Sequence, residues 1–348
     1  MTERENYLRC IRFQGPEWVP CSLGLLPAVW KRHRMDLVAL ALEYPEFFGE
    51  VKPEGWDFDA MGFRYAQGRL DTDNWGVVWR NEHEGVIGIP VVHPLADLQA
   101  IDTYAAPDPL TSDRLLGPRD LDREADNLRA AQAAGHIASA YAGTVFERLQ
   151  ELVGMENLLL NLAYEDNPDL QRVVDLVGGF ALTQVQQVLT RVTPDLVRVS
   201  DDLGTQRAAM VSPRTFRRWL KPAYAAIYQT ARAAGCETFQ HSDGYLLELV
   251  DDLLDAGLRV LNPQVGPNTL PGIRDVMKGR LAISLDLDRQ HLLPHGTPQD
   301  IRDHIHEALA TLNAPEGGLM LQAEINADYP LENIRTIVQT FREVMNKT

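Results

Sequence analysis

Phe239-Gln240-His241-Ser242-Asp243-Gly244 is the stretch on which the fold turns. A largely apolar, strand-like run over 237–240 ends in a histidine and an aspartate two positions apart. A glycine follows, then a helix-like segment over 245–256. Alternate side chains of a strand point the same way. His241 and Asp243 are therefore expected to project together from the end of one strand, as a place for chemistry and as half of a metal site.

The same strand-to-helix handover repeats on both sides. Upstream, 137–142 reads as a strand and 146–153, 157–164 and 168–190 as helices. The strand 196–200 then runs into Asp201-Asp202-Leu203-Gly204. Ser212-Pro213 opens a long helix, serine suiting the cap and proline the first turn. Pro222 falls inside that helix and should kink or split it. Downstream come a strand over 259–262, a helix over 270–278 and a strand over 281–285 that ends in Asp286 and Asp288. A helix over 298–312, a strand over 319–325 carrying Gln322 and Glu324, and a closing helix over 330–345 complete the chain. Alternation of this kind predicts a parallel sheet. With no glycine-rich phosphate fingerprint, a TIM (β/α)8 barrel is the economical assembly, and a doubly wound open sheet is the alternative. Barrel chemistry sits at the C-terminal strand ends, which is where Asp201, Asp202, His241, Asp243, Asp286, Asp288 and Glu324 fall.

Residues 1–110 are less regular and read as an N-terminal extension covering the barrel mouth, ahead of the main βα units over 111–348 in one domain. They are also free to supply the remaining strands. Aromatic residues crowd 55–80, Asp73 to Trp79 looks like a turn entering a strand, and Gly85, Gly88 and Pro90 suggest a hairpin. Such a segment would make a lid or wall over a pocket.

Composition narrows the partners. A formal net charge of -16 and a pI near 5.0 argue against nucleic acid and against an anionic membrane surface. Cys10, Cys21 and Cys236 are far apart, which argues against a disulfide framework. The charged start lacks a signal-peptide core and no apolar run is long enough to span a bilayer, so a soluble cytoplasmic protein is expected.

At these strand ends the sequence resembles the uroporphyrinogen decarboxylase superfamily, which includes methyltransferases working with corrinoid (cobalamin) proteins. The resemblance rests on Asp201-Asp202-Leu203-Gly204-Thr205-Gln206, Ser212-Pro213, Lys221-Pro222, His241-Ser242-Asp243-Gly244, Leu261-Asn262-Pro263 and Asp288. It continues through Gly296-Thr297-Pro298 and Pro330-Leu331-Glu332-Asn333-Ile334, with Arg4-Glu5-Asn6-Tyr7-Leu8-Arg9 similar at the start. It implies a TIM barrel. The arginine-rich N-terminal motif of the heme-pathway decarboxylases is missing, and Lys31-Arg32-His33-Arg34 stands in a different context. Thiol-methylating relatives hold zinc with a His-x-Cys pair and a distant cysteine. Here those positions are His241, Asp243 and, near the last strand, Glu324.

The resemblance thus implies zinc on His241, Asp243 and Glu324, with oxygen donors in place of sulfur. Histidine with two carboxylates is an accepted zinc set with one position left for substrate, and oxygen donors make the site harder. The implied reaction is demethylation of a methoxylated, aromatic small molecule. The methyl group passes to cobalamin carried by a corrinoid protein, since no cobalamin-binding histidine motif is evident in this chain. Asp202, on the barrel-facing parity of Arg198 and Ser200, and Gln322 are the further catalytic candidates. Tyr141, Arg148 and Asp288 are the substrate-binding ones, Arg148 as the partner of a substrate carboxylate or of a protein carboxylate. Two other functions stay open at this point: a metal-free lyase acting on a carboxylated substrate, and a barrel that binds a ligand without catalysis.

Overall fold

The structure, a computed structural model, describes residues 1–346 apart from 53, 55, 61–64 and 113–116. In chain order its strands are β1 (Cys21–Leu25), β2 (Leu70–Thr72), β3 (Val78–Arg80), β4 (Ile89–Val92), β5 (Ser139–Gly143), β6 (Leu196–Ser200), β7 (Glu237–Ser242), β8 (Val260–Pro263), β9 (Ala282–Asp286) and β10 (Leu319–Ile325). Seven of them form one parallel sheet in the order β1-β10-β9-β8-β7-β6-β5. Each strand from β5 to β10 lies beside its successor, and the first strand lies beside the last. With helices outside, this is the winding of a TIM-type barrel. β2, β3 and β4 make a separate antiparallel sheet.

The helices start where their caps stand. Thr2 and Glu5 form a capping box for Glu3–Ile11, Asn167 caps Pro168–Leu189, and Thr297 with Asp300 boxes Pro298–Leu312. The split expected at Pro222 is present. A short π-helical turn, Phe216–Leu220, leads into the helix Lys221–Ala233 with Pro222 in its first turn, where a missing N–H leaves no intrahelical bond unmade.

Residues 1–110 divide their work. Cys10 and Ile11 of the first helix pack on Leu196, Phe239, Val260, Ala282 and Met320, closing the N-terminal end of the barrel. β1 then enters the barrel sheet beside β10. From the later part, Trp79 on β3 and Pro90 on β4 line the cavity described below. Strand parity behaves as expected on β6: Val197 and Val199 are buried in the helix-facing core, while Arg198 stacks over the Phe239 ring at 4.4 Å. On β10, Gln322 and Glu324 alternate with fully buried neighbours. Among the described residues no helix is long and apolar enough to cross a membrane.

Candidate functional site

Strand register sets the site. Ser200 pairs with His241 and His241 with Asn262, so three strand ends lie in a row. The loops that follow are tied together. Leu203 N donates to Ser242 Oγ at 3.0 Å, Asp243 N to Asp202 Oδ1 at 2.8 Å, and Gly244 N to Gln264 Oε1 at 2.9 Å. Gly204 and Gly244 sit backbone to backbone: a Cβ on Gly244, whose φ is +79°, would lie 2.7 Å from Gly204 Cα. Only glycine permits that approach together with that φ.

His241 Nε2 lies 3.1 Å from Asp243 Oδ1 and 3.7 Å from Asp202 Oδ1. These three atoms converge closely enough to share one metal ion. On the other side of the ring, Nδ1 is 2.7 Å from Asn262 Oδ1. The Asn262 amide nitrogen donates to Ser284 O, so its oxygen must be the atom facing the histidine. Nδ1 therefore carries the hydrogen and Nε2 points at the carboxylates, the orientation a metal-binding histidine needs.

Arg289, from the loop after β9, organises the rest. Its guanidinium contacts Asp243 Oδ2, Asp286 Oδ2 at 3.3 Å and Glu324 Oε1 at 3.0 Å. Asp286 is fully buried and neither oxygen accepts a hydrogen bond, so burial raises its carboxyl to about 7 against the pull of Arg289. Burial pulls the His241 imidazole down. The hydrogen bond and charge of Asp243, with the charge of Asp202, outweigh it and raise it to about 9. The His241 ring and the Arg289 guanidinium thus face four carboxyl groups, those of Asp202, Asp243, Asp286 and Glu324.

The donor set fits zinc. The edge of a tetrahedron with bonds near 2.0 Å is about 3.3 Å, and the distances of 3.1 and 3.7 Å bracket it. Asp243 Oδ1 is buried and faces His241 Nε2, while its other oxygen is held by Arg289.

The structure brings His241, Asp243 and Asp202 together and sets Glu324 apart, on Arg289. Asp202, a catalytic candidate by strand parity, is the third member of that group. Gln322 lies one β10 step below Glu324 on the same face, paired in register with Asp286. Asp288 accepts from Gln290 N and His291 N at 3.2 and 3.0 Å, which makes it a loop cap. Arg148 is bound within the protein: Nη1 lies 2.9 Å from Asp73 Oδ2 and 2.7 Å from Glu151 Oε2, and the side chain stacks on Trp75. Asp201 caps the helix Phe146–Val153, accepting from Val145 N at 2.6 Å and Glu147 N at 2.8 Å, with Tyr224 OH at 2.9 Å. Sequence reasoning gave no role to Arg289, Asn262 or Glu147. Their one signal was position, each just past or at a strand end.

A cavity of about 460 Å³ opens by the end of β5. Trp79, Ile87 and Pro90 wall one side, and Tyr141, Thr144 and Glu147 the other. Glu147 is within electrostatic reach of Asp201, Asp202 and Asp243, and burial together with those charges pushes its carboxyl up to about 9.

The profile of the uroporphyrinogen decarboxylase family (URO-D) matches residues 125–344, more than half of the chain and all the strand-end residues named above, and the chain belongs to that family. Among solved structures, a methyltransferase from Methanosarcina mazei superposes with a TM-score of 0.66 at 17% identity, covering 99% of each chain. A D-psicose 3-epimerase gives a TM-score of 0.40 at 11% identity over 65% of this chain and 82% of its own. The Yersinia pestis dihydropteroate synthase gives 0.33 at 17% over 48% and 62%. The sequence matches none of the curated proteins compared with it.

Proposed function

We propose that this member of the family is a zinc-dependent methyltransferase that demethylates a methoxylated aromatic substrate and passes the methyl group to the cobalamin of a separate corrinoid protein. The observation that carries the reading is the convergence of His241 Nε2, Asp243 Oδ1 and Asp202 Oδ1, whose carboxylates are within electrostatic reach of Glu147 in the wall of a cavity of about 460 Å³. The likeness in fold to a methyltransferase is in keeping with it. His241, Asp243 and Asp202 would hold the metal. Zinc bound there supplies a Lewis acid for the oxygen that keeps the electron pair when a methyl group leaves.

The protein's own groups prepare that event. Asn262 fixes the His241 ring, and Arg289 fixes Asp243 through its second oxygen. The 70–92 sheet walls the cavity and limits water. The lyase reading finds less support. A carboxylated substrate needs a cation, and both Arg148 and Arg289 are held by protein carboxylates.

The test is metal content by mass spectrometry together with methylcobalamin formation from cob(I)alamin and methoxybenzenes, followed by absorbance. Near-stoichiometric zinc, and loss of both metal and methyl transfer in His241→Ala with the fold intact by circular dichroism, are expected. Protein that cannot be loaded with zinc, or transfer indifferent to chelation, would remove the reading.

A further inference from the structure

We propose that the N-terminal end of the barrel carries a binding site for a small diphosphate anion, held by Arg232 and Arg259. The site lies outside the methyl-transfer reading and shares no residue with it.

The first observation is a convergence of cations. A recess of about 280 Å³ at the foot of β7, β8 and β9 is lined by Arg12, Arg232, Arg259 and Arg280, with Glu237 and Phe13 beside them. Glu237 starts β7, so the recess stands at the opposite end of that strand from His241. Arg12 follows the helix Glu3–Ile11, and Arg232 lies in the last turn of Lys221–Ala233. A helix C-terminus favours a cation, which accounts for an arginine at each of those ends. It does not account for four of them meeting at one recess in a chain of net charge -16.

The second observation concerns their partners. Arg12 Nε is 2.8 Å from Glu237 Oε1, and Arg280 Nη2 is 2.6 Å from Asp251 Oδ1. The side chains of Arg232 and Arg259 make no hydrogen bond or ion pair with any described residue. The Arg232 stem lies along the turn that precedes β8, its Cδ 3.7 Å from where a Cβ on Gly257 would stand. Burial and then the charge of Arg259 lower the Arg232 guanidinium, against the pull of Glu237. Two like charges therefore share one recess, and no described carboxylate is bonded to either.

The chemistry of the donors names the ligand. Each guanidinium presents a fork of N–H groups that matches two oxygens of a phosphate. Two neighbouring forks match two linked phosphates. The space is smaller than a drug-sized pocket and suits a compact anion. A long polyanion or an anionic membrane would bring further negative charge against an acidic chain. Phe13 also lines a second recess of about 360 Å³, with Ile283, Leu312 and Ala314, where the uncharged part of a nucleotide would lie. The diphosphate is the chemistry common to an inorganic and a nucleotide source.

Calorimetry on the full-length protein at low ionic strength, with pyrophosphate as the probe, tests this. Saturable binding at least about tenfold tighter than that of orthophosphate is expected. Arg232→Gln and Arg259→Gln should each weaken it about tenfold, and the double variant should bind none measurably. Glu237→Gln, which frees Arg12, should strengthen it about threefold, an effect that loss of structure cannot imitate. Circular dichroism confirms that each variant folds. ADP binding more tightly than pyrophosphate would support the site with a nucleotide as its source, and ADP binding equally or less tightly would support it with the inorganic anion. Absence of saturable pyrophosphate binding, unchanged affinity in the double variant, or weaker binding in Glu237→Gln would overturn the proposal. So would anionic vesicles that bind the protein when pyrophosphate does not.

Discussion

Replacing Asn262 by alanine should weaken zinc binding without removing any metal ligand. Asn262 is fully buried, its Oδ1 is 2.7 Å from His241 Nδ1, and its amide is aimed by Ser284 O. The bond does two things at once. It selects the tautomer with Nε2 free of hydrogen, and it stops the ring from turning away from Asp202 and Asp243. Loss of such a supporting partner costs metal affinity about 10- to 100-fold, or about 1.4 to 2.7 kcal/mol at 1.36 kcal/mol per decade. The lower end applies if Arg289, through Asp243, still restrains the other half of the site. Competition with a chromophoric chelator at fixed pH gives the affinity, and long-range nitrogen–proton NMR correlations of a labelled His241 give the tautomer. Glutamine at position 262 is too long for the geometry and should not restore the affinity. An alanine variant that binds zinc within about twofold of the wild type, while its His241 shows mixed tautomers, would refute the idea that Asn262 orients the ligand.

Three further outcomes follow from other parts of the molecule. Glu147→Gln should be more stable than the wild type at pH 8 and indistinguishable from it near pH 4. Burial raises the folded-state carboxyl to about 9, so the native state holds the extra proton and loses stability as pH climbs from the unfolded value; melting temperature across pH reads this. Asp252→Asn should behave in the opposite sense. Although burial opposes it, Arg217 at 2.8 Å and Lys221 at 3.0 Å lower the Asp252 carboxyl. Its stabilisation is therefore present above the unfolded pKa and lost as pH falls through the lower folded value, and the gap between the two melting curves should close in acid. Gly204→Ala should cost about 1–3 kcal/mol in urea unfolding, since its new methyl would stand 2.5 Å from Tyr245 N.

The barrel was legible because its later strands are short, doubly buried runs punctuated by polar ends. For β10 even the boundaries, Leu319–Ile325, follow from the pattern. β1 was harder. Cys-Ser-Leu-Gly-Leu is brief and lies among prolines, and it becomes a barrel strand only through its pairing with β10, a partner 300 residues away. His241 and Asp243 were readable from strand parity, a local property. The choice between Asp202 and Glu324 as neighbour of that pair was not, because it depends on where Arg289 reaches. A lone arginine in a loop has no period to betray it, and its three carboxylate partners come from three different strand ends. Arg148 shows the same limit: the residue was visible, but Asp73, which occupies it, is 75 positions earlier.

The back-to-back glycines have a consequence for how this centre can change. Because Gly204 and Gly244 meet through bare backbone, the spacing between the loops that carry Asp202 and Asp243 is dictated by main chain and not by those side chains. The frame and the chemistry it presents are separable. The side chains at 202 and 243 could be exchanged while their Cα positions stay put, so single substitutions at the rim would change which groups face His241. A change at either glycine would instead shift both loops together, and no choice of ligand would recover the geometry.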